Sequence, residues 1–194
     1  MDNLLQRSFP RKKLLVLSDT HGHIPALEAV LKWAQSSTPE LCSAQGNAIT
    51  TAVFLGDGLD DLSRAAATTG FFCDWKLIRG NNDYGHSTPE AAVFDFEEHR
   101  FFICHGHRYA LYNGYHTLVA AARNAGADTA LFGHSHVPFF KNEKDVLLIN
   151  PGSIGRPRSR IGASFAVIDC IPGKPLEAEF FGIGARGEIR EIKI

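Results

Sequence analysis

The first half of the chain alternates short apolar runs with amphipathic stretches. The apolar runs are typical of buried parallel strands, and they cover residues 12–18, 51–55 and 71–78. Pro25 opens a helical pattern after the first run, and a shorter helix with Asp60 or Asp61 as its cap is predicted to reach Ala67. Residues 36–48 are polar and irregular, which predicts a loop. Strands that alternate with helices in this way favour a parallel sheet with crossover helices.

The second half contains more strands and less helix. Residues 92–96 and 101–104 enclose a charged turn and predict an antiparallel hairpin. A helix is predicted over residues 115–125, and Gly126 ends it. Short strands are then predicted at residues 129–132, 137–141, 146–149, 165–169 and 177–181. A parallel half joined to a mainly antiparallel half indicates an α/β (α+β) fold in which two sheets form a β-sandwich flanked by helices. We expect residues 1–194 to form a single domain.

Composition and charge narrow the class of protein. The chain has 194 residues, of which 44% are hydrophobic and 21% charged, as in globular domains. Its 20 basic and 21 acidic residues give a formal net charge of −1, so a nucleic-acid partner is disfavoured because such partners select basic domains. Residues 1–10 lack the apolar core of a secretory signal, and no apolar run approaches the length of about 18 residues that a membrane helix needs. We therefore expect a cytoplasmic protein without a membrane partner.

The four cysteines support the same compartment. They are Cys42, Cys73, Cys104 and Cys170, which are widely spaced and form no CxxC pair. This spacing is not that of a disulfide framework in a chain of this length. We expect them to be small buried hydrophobic residues in a reducing environment.

A polar motif follows each of five predicted strands. The motifs are SDTHG at residues 18–22, GDG at 56–58, RGNND at 79–83, HGH at 105–107 and GHSH at 133–136. Each motif alone is typical of an ordinary turn or helix start. Together they carry seven donors to the ends of strands, where α/β sheets form their ligand crevice. These candidate metal ligands are Asp19, His21, Asp57, Asn81, His105, His134 and His136.

The donor types indicate which ions the site would hold. Imidazole, carboxamide and carboxylate groups without a thiolate suit divalent ions of intermediate softness. Seven donors exceed one tetrahedral site and fit two ions that share a carboxylate, an arrangement that serves phosphoryl transfer. Asp19 and His21 lie two residues apart, so a strand-end backbone places both on one face. These donors suit Mn²⁺, Fe²⁺ or Zn²⁺ alike. We expect two divalent ions per chain, with Ni²⁺ and Mg²⁺ as further alternatives and Mn²⁺ as the ion favoured for activity.

The series D-x-H, GD, GN-x-D, H and GHxH resembles the signature of the calcineurin-like metallophosphoesterases. The words SDTHG, LGDGLDD, RGNND, CHGH, FGHSH and NPGS are similar to those of the small bacterial and archaeal phosphodiesterases of the YfcE type, and the resemblance covers roughly residues 14–157. It implies a metallophosphoesterase-like fold and hydrolysis of a phosphate ester by a hydroxide that bridges two metals. It also implies a homo-oligomer, because such relatives are often dimers or tetramers.

The resemblance further implies a role for each of the seven donors. Asp19, His21 and His136 would bind the first metal, and Asp57 would bridge the two metals. Asn81, His105 and His134 would bind the second metal.

One position departs from many branches of this family. Asn82 stands where those branches carry a histidine that protonates the leaving oxygen. We retain Asn82 as a candidate catalytic residue, although an amide donates hydrogen bonds and is no acid at neutral pH. The proton would then come from elsewhere, with His107 and His23 as candidates, or the leaving group would need no acid. The departure favours diesters over monoesters. We expect Asp83 to orient a ligand histidine or the backbone.

Two arginines follow the NPGS motif. Arg156 and Arg158 are candidate substrate-binding residues, because a guanidinium donates a fork of hydrogen bonds to phosphate. The alternative is a solvated basic loop, or a contact with a neighbouring subunit.

The sequence therefore predicts a metal-dependent phosphodiesterase that acts on a small phosphate-ester substrate. The alternatives are a phosphomonoesterase or nucleotide hydrolase with the same site, a nuclease, and a scaffold protein that keeps the fold without catalysis. The intact set of donors argues against the scaffold, and the near-neutral charge argues against the nuclease.

Overall fold

The computed structural model describes residues 12–36 and 49–194. The amino-terminal residues 1–10, Cys42 and nearly all of the predicted loop at residues 36–48 lie outside this range. The strands are β1 (Lys12–Leu17), β2 (Ile49–Phe54), β3 (Asp74–Leu77), β4 (Ala91–Phe96), β5 (His99–Cys104), β6 (Thr129–Phe132), β7 (Phe139–Glu143), β8 (Val146–Asn150), β9 (Ser164–Cys170), β10 (Glu177–Ile183) and β11 (Ile189–Ile192). The helices are α1 (Ile24–Ser36), α2 (Leu59–Thr69) and α3 (His116–Asn124), and a 3₁₀ turn covers Leu111–Asn113.

The strands form two facing sheets. The first sheet has the order β11-β10-β9-β1-β2-β3, and the second has the order β4-β5-β6-β8-β7. The β1–β2 and β2–β3 pairs are parallel, as the alternation of strands and helices predicts. The second sheet is antiparallel at its two edges but parallel at its centre, where β6 pairs with β5 and β8. This mixed α/β sandwich confirms the predicted fold class.

Side-chain alternation along the strands generates the layers. Leu15 and Leu17 of β1 pack with α1 and α2 on the outer face of the first sheet. Leu14 and Val16 point the other way and pack against the second sheet. Helix α3 covers the outer face of the second sheet through Leu118 and its neighbours. The period of two in β1 thus fills two different cores from one apolar run.

Apart from strand and helix ends that shift by one or two residues, three local predictions differ from the structure. Strand β3 begins at Asp74 rather than at residue 71, because the edge strand starts where it pairs with β2 at Thr51. Helix α2 begins at Leu59 with Gly58 at its N-cap, so neither Asp60 nor Asp61 caps it. Strand β11 was not predicted, because four residues of an edge strand show too short an alternation to stand out.

The polar motifs leave the strands at one edge of the sandwich. The Asp19 amide donates to the Gly56 carbonyl at 3.0 Å, and the His21 amide donates to the Asp57 carbonyl at 3.1 Å. In the second sheet the Gly133 amide donates to the His105 carbonyl at 2.9 Å. Neighbouring strand ends are therefore tied to one another just where the candidate ligands emerge.

Candidate metal centre

Asp19 lies at the middle of a cluster of buried donors. Its Oδ1 atom is 3.0 Å from His136 Nε2, 3.5 Å from His21 Nε2 and 3.9 Å from His105 Nε2. The carboxylate is fully buried, so these imidazoles replace water as its neighbours. Three motifs, the first and last of which lie more than a hundred residues apart along the chain, thus meet at one oxygen atom.

Asp57 lies between the histidines of two motifs. Its Oδ2 atom is 3.6 Å from His21 Nε2 and 3.5 Å from His105 Nε2. Two groups of potential ligands result, Asp19 with His21 and His136, and Asp19 with Asp57 and His105, and the ligand atoms within each group lie within 4.8 Å of one another. The family resemblance implied that Asp57 alone is shared by the two metals. In the structure both carboxylates, Asp19 and Asp57, lie next to histidines of both groups.

His134 and Asn81 border the same cluster. The His134 ring centroid is 5.1 Å from that of His105, and the His134 amide donates to Asp19 Oδ2 at 3.0 Å. Both residues line a cavity of about 360 Å³ together with His21 and Asp57. All seven predicted ligands therefore surround one place, five as members of the two ligand groups and two in the cavity wall.

Backbone carbonyls fix the orientation of two histidines. His105 Nδ1 lies 2.7 Å from the Leu55 carbonyl, and His136 Nδ1 lies 2.6 Å from the Arg156 carbonyl. A carbonyl only accepts hydrogen bonds, so Nδ1 carries the proton and Nε2 presents a lone pair to the cluster. This is the tautomer that binds a metal ion through Nε2.

Two buried lone pairs test whether the residues fit a cation. Within the described residues, Asp19 Oδ1 and His105 Nε2 are buried without a hydrogen-bond partner. Buried polar atoms are seldom left without a partner, and both atoms are acceptors that a divalent cation would satisfy. The donor set therefore fits divalent metal ions.

The backbone at the cluster is held in a rarely used conformation. Nine non-glycine residues of the described ranges have positive φ, and five of them are candidate ligands with φ between 45° and 66°. These five are Asp19, His21, Asp57, His134 and His136. Such residues cost free energy and persist where the surrounding structure imposes them, often at functional sites.

Two glycines leave room for the carboxylates. A Cβ atom on Gly80 would lie 2.0 Å from Asp57 Oδ1. A Cβ atom on Gly133 would lie 2.1 Å from the Ser18 hydroxyl oxygen and 2.8 Å from Asp19 Oδ2. The glycines of the GNND and GHSH motifs thus allow the close approach of neighbouring strand ends.

The charges of the cluster shift its titration. Burial raises the pKa of Asp19, but the neighbouring imidazoles of His136, His21 and His105 outweigh burial, so the pKa of this carboxyl lies far below its usual range. Burial lowers the pKa of His105, yet the adjacent carboxylates of Asp57 and Asp19 raise it overall. Burial and the neighbouring His105 lower the pKa of His134. These shifts favour the ionised carboxylates and the neutral form of His134, the forms in which these groups bind metal ions.

Asp83 organises the backbone of two site loops. Its Oδ2 atom accepts from the Asp57 and Gly80 amides, both at 2.7 Å, and its Oδ1 atom accepts from the Gly58 and Leu59 amides at 2.8 and 2.9 Å. Asp83 was predicted to orient either a ligand histidine or the backbone, and in the structure it orients the backbone. The same carboxylate satisfies the free amides at the start of α2, where no cap side chain stands.

Asp61 was expected at a helix cap but supports the first site loop instead. Its Oδ2 atom accepts from the Thr20 hydroxyl at 2.5 Å and from the Gly22 amide at 2.7 Å. The loop that carries Asp19 and His21 is therefore buttressed by α2. No sequence signal connects residues so far apart along the chain.

Asn82 and the two candidate proton donors, His107 and His23, lie in different places. Asn82 donates to both oxygens of Asp57, from its amide at 2.8 Å and from Nδ2 at 2.5 Å. The His107 ring lies 5.5 Å from that of His105 and beside the cluster. His23 instead lines a separate cavity with α1 residues, so the structure does not bring it to the cluster.

The two predicted phosphate-binding arginines line the cavity. Arg156 and Arg158 stand in the same wall as His134 and His136. The Arg158 Nη1 atom also donates to the Tyr112 hydroxyl at 2.9 Å. A positive edge therefore borders the group of buried carboxylates and imidazoles.

Comparison with protein families and with curated proteins finds similar sequences. A family model described as the calcineurin-like phosphoesterase superfamily domain matches residues 13–172. A probable metallophosphoesterase of Mycoplasma pneumoniae is 32% identical over 150 residues, which cover 76% of this chain and 82% of that protein. Phosphodiesterase YfcE of Escherichia coli strain K12 is 28% identical over 179 residues, which cover 81% of this chain and 87% of that protein.

A solved structure shows the same fold at lower identity. Vps29 of Entamoeba histolytica, in complex with Zn²⁺, aligns with a TM-score of 0.72 and 19% identity, over 94% of this chain and 98% of that one.

Within residues 12–36 and 49–194, no helix has the length and apolar character needed to cross a membrane.

Proposed function

Since the chain belongs to the calcineurin-like phosphoesterase superfamily and is a hydrolase acting on phosphoester bonds, we propose that it is a phosphodiesterase for a small phosphodiester. The observation that carries the proposal is the pair of buried ligand groups that share Asp19. Two such groups side by side suit two divalent ions. Their nitrogen and oxygen donors suit Mn²⁺, Fe²⁺ or Zn²⁺, and we propose Mn²⁺ as the working ion.

We assign the ligands according to their places in the cluster. Asp19, His21 and His136 would hold the first ion, and Asp57 would be shared. Asn81, His105 and His134 would hold the second ion. When bound, the ions would lower the pKa of water at the site and neutralise the charge of the phosphate.

The chain's own residues would position the substrate. Arg156 and Arg158 line the cavity, where their guanidinium groups would donate to phosphate oxygens. Asn82 already donates one Nδ2 hydrogen to Asp57, and its second Nδ2 hydrogen is available for an ester oxygen. The Leu55 and Arg156 carbonyls would keep His105 and His136 in the tautomer that leaves Nε2 free.

Two cavities support a diester rather than a monoester. The cavity with the arginines and a second one of about 340 Å³ share His21, Asp57 and Asn82. A phosphate held between them has space on both sides, as a group with two ester substituents needs. Asn82 cannot protonate a leaving group, which also disfavours monoesters with poor leaving groups. A phosphomonoesterase or nucleotide hydrolase remains the alternative within this chemistry.

A second candidate is a scaffold protein that uses the fold without catalysis. The likeness to Vps29 favours this candidate at the level of the fold alone. The complete ligand set and the unpartnered Asp19 Oδ1 support the enzyme instead. We also propose that the chain works in the cytoplasm as a single-domain homo-oligomer, for which the free Cys73, Cys104 and Cys170 support the reducing compartment.

Hydrolysis of bis-p-nitrophenyl phosphate by Mn²⁺-loaded protein tests the enzyme. Asp57→Asn and His134→Ala are expected to lower the rate by more than about 100-fold, because even residues that only orient a ligand are worth up to that factor. Asp145→Asn and His116→Ala make the same chemical changes at exposed positions and should leave it unchanged. Equal inactivity of the wild type and Asp57→Asn, with both folded, would favour the scaffold. Faster turnover of p-nitrophenyl phosphate would refute the preference for diesters.

A further inference from the structure

A turn that follows His105 carries an exposed tyrosine to the edge of the metal centre. In the 3₁₀ turn Leu111–Asn113, Leu111 is buried and Tyr112 is 71% exposed. The turn is closed by the Asn113 amide, which donates to the Ala110 carbonyl at 2.8 Å. Leu111 packs so closely on Gly106 that a side chain there would meet it at 2.8 Å. The position of Tyr112 is therefore fixed by the backbone, while its ring stays open to solvent.

The ring of Tyr112 adjoins both the metal centre and an arginine of the cavity wall. Its centroid lies 6.2 Å from that of His134, and the two planes are inclined by 62°. Its hydroxyl accepts a hydrogen bond from Arg158 Nη1 at 2.9 Å. One of the five N–H donors of this guanidinium is thereby used, and the hydroxyl restrains the side chain. Tyr112 thus combines a solvent-exposed aromatic face with a hydrogen bond to Arg158, a candidate phosphate-binding residue.

A large exposed aromatic ring beside the metal centre can stack on a flat group of a bound ligand. Water covers an apolar surface at a free-energy cost, and a second flat ring can replace that water by stacking. Base–aromatic stacking contributes substantially in proteins that bind nucleotides, and it tolerates different rings. A phosphate that Arg158 contacts would bring its ester substituent towards the Tyr112 ring.

We propose that Tyr112 is a specificity-determining residue that stacks on a flat aromatic group esterified to the bound phosphate. Its hydroxyl meanwhile holds Arg158 for the phosphate oxygens. The inference rests on the proposed phosphoesterase function and adds the substrate class, a phosphodiester with an aryl or nucleoside substituent. The two functions of Tyr112 belong to different atoms, so they can be separated by substitution.

The inhibition constants of three phosphates measure the preference of the protein for an aromatic substituent on the phosphate. Methyl phosphate, phenyl phosphate and thymidine 5′-phosphate compete with bis-p-nitrophenyl phosphate on the Mn²⁺-loaded protein. We expect the wild type to bind phenyl phosphate or thymidine 5′-phosphate more tightly than methyl phosphate. Tighter binding of phenyl phosphate would indicate an aryl substituent, and tighter binding of thymidine 5′-phosphate would indicate a nucleoside substituent.

The substitutions separate the ring from the hydroxyl. Tyr112→Ala should remove the aromatic preference, a loss of about five- to 100-fold for the aromatic phosphate relative to methyl phosphate. Tyr112→Phe should keep the preference and weaken all three phosphates by a similar factor, because only the hold on Arg158 is lost. Phe72→Ala is the matched control, since Phe72 is 95% exposed and follows the far end of α2. It should change none of the three constants.

The outcomes separate this inference from the proposed function. A wild type without preference for either aromatic phosphate, or a Tyr112→Ala variant that keeps the preference, would overturn the inference even if the diester is hydrolysed. If the diester is not hydrolysed, the proposed function fails, and calorimetric titration of the same three phosphates gives the binding preference directly.

Discussion

Replacing Asp83 with asparagine is expected to destabilise the protein and loosen its metal centre without removing any candidate ligand. The carboxylate accepts four backbone N–H bonds of 2.7 to 2.9 Å, two on each oxygen, and the residue is only 7% exposed. An asparagine has the same shape but one acceptor oxygen. Its NH₂ group would face two amide hydrogens that then have no acceptor.

The magnitude follows from the bonds that would be lost. A hydrogen bond to a charged group is worth about 1.5–3 kcal/mol, so the loss of two gives about 3–6 kcal/mol. Small movements of the loop would recover part of this, and we expect about 3–5 kcal/mol in the free energy of unfolding. That is a large fraction of the 5–15 kcal/mol that holds a typical domain.

Urea unfolding in the presence of chelator, followed by circular dichroism, measures this difference. Asp145→Asn is the matched control because Asp145 is exposed and makes a surface ion pair with Arg123. It should change the stability by less than about 1 kcal/mol. A destabilisation by Asp83→Asn no larger than that of the control would refute the account of Asp83 as the common acceptor of both loops. Because Asp57 is among the residues held, the variant should also bind Mn²⁺ more weakly.

Three further outcomes are expected. Gly133→Ala should weaken Mn²⁺ binding in calorimetric titration, because its methyl group would displace the Ser18 hydroxyl; unchanged affinity would contradict the close approach. Burial raises the pKa of Cys73 and Cys170 to about 12, so their thiols should react with a disulfide reagent at pH 8 only after unfolding, and rapid labelling of the native protein would contradict this. Saturating Mn²⁺ at 100 times its dissociation constant should stabilise the fold by about 2.7 kcal/mol per site, and His136→Ala should reduce this gain in thermal unfolding.

Much of the fold is encoded in short stretches of the chain. In β1, Leu14 to Leu17 alternate between two cores, and an apolar run of this kind is visible without any partner. The order of strands and helices then limits the topology, because crossover connections have one hand and short loops join neighbours. Strand β11 and the start of β3 escaped prediction because edge strands depend on pairing more than on pattern.

The donor types of the centre are also local information. Asp19 and His21, or His134 and His136, stand two residues apart after apolar runs, and the donor types of the five motifs together indicate a metal site. The motifs do not show which distant residues form hydrogen bonds with them. Asp83 bonds to Gly58 across 25 positions and Asp61 to Thr20 across 41, so no short window includes both partners.

The sequence by itself therefore determined the two-sheet class, the order of its elements and the chemical kinds of donor, because hydrophobic period and ligand type are properties of a few adjacent residues. Only the tertiary structure decided that Asp19 contacts three histidines, that Asp83 ties two loops together and that Tyr112 meets Arg158. These contacts arise where separate strand ends converge, and convergence depends on how the two sheets pack rather than on any one stretch of chain.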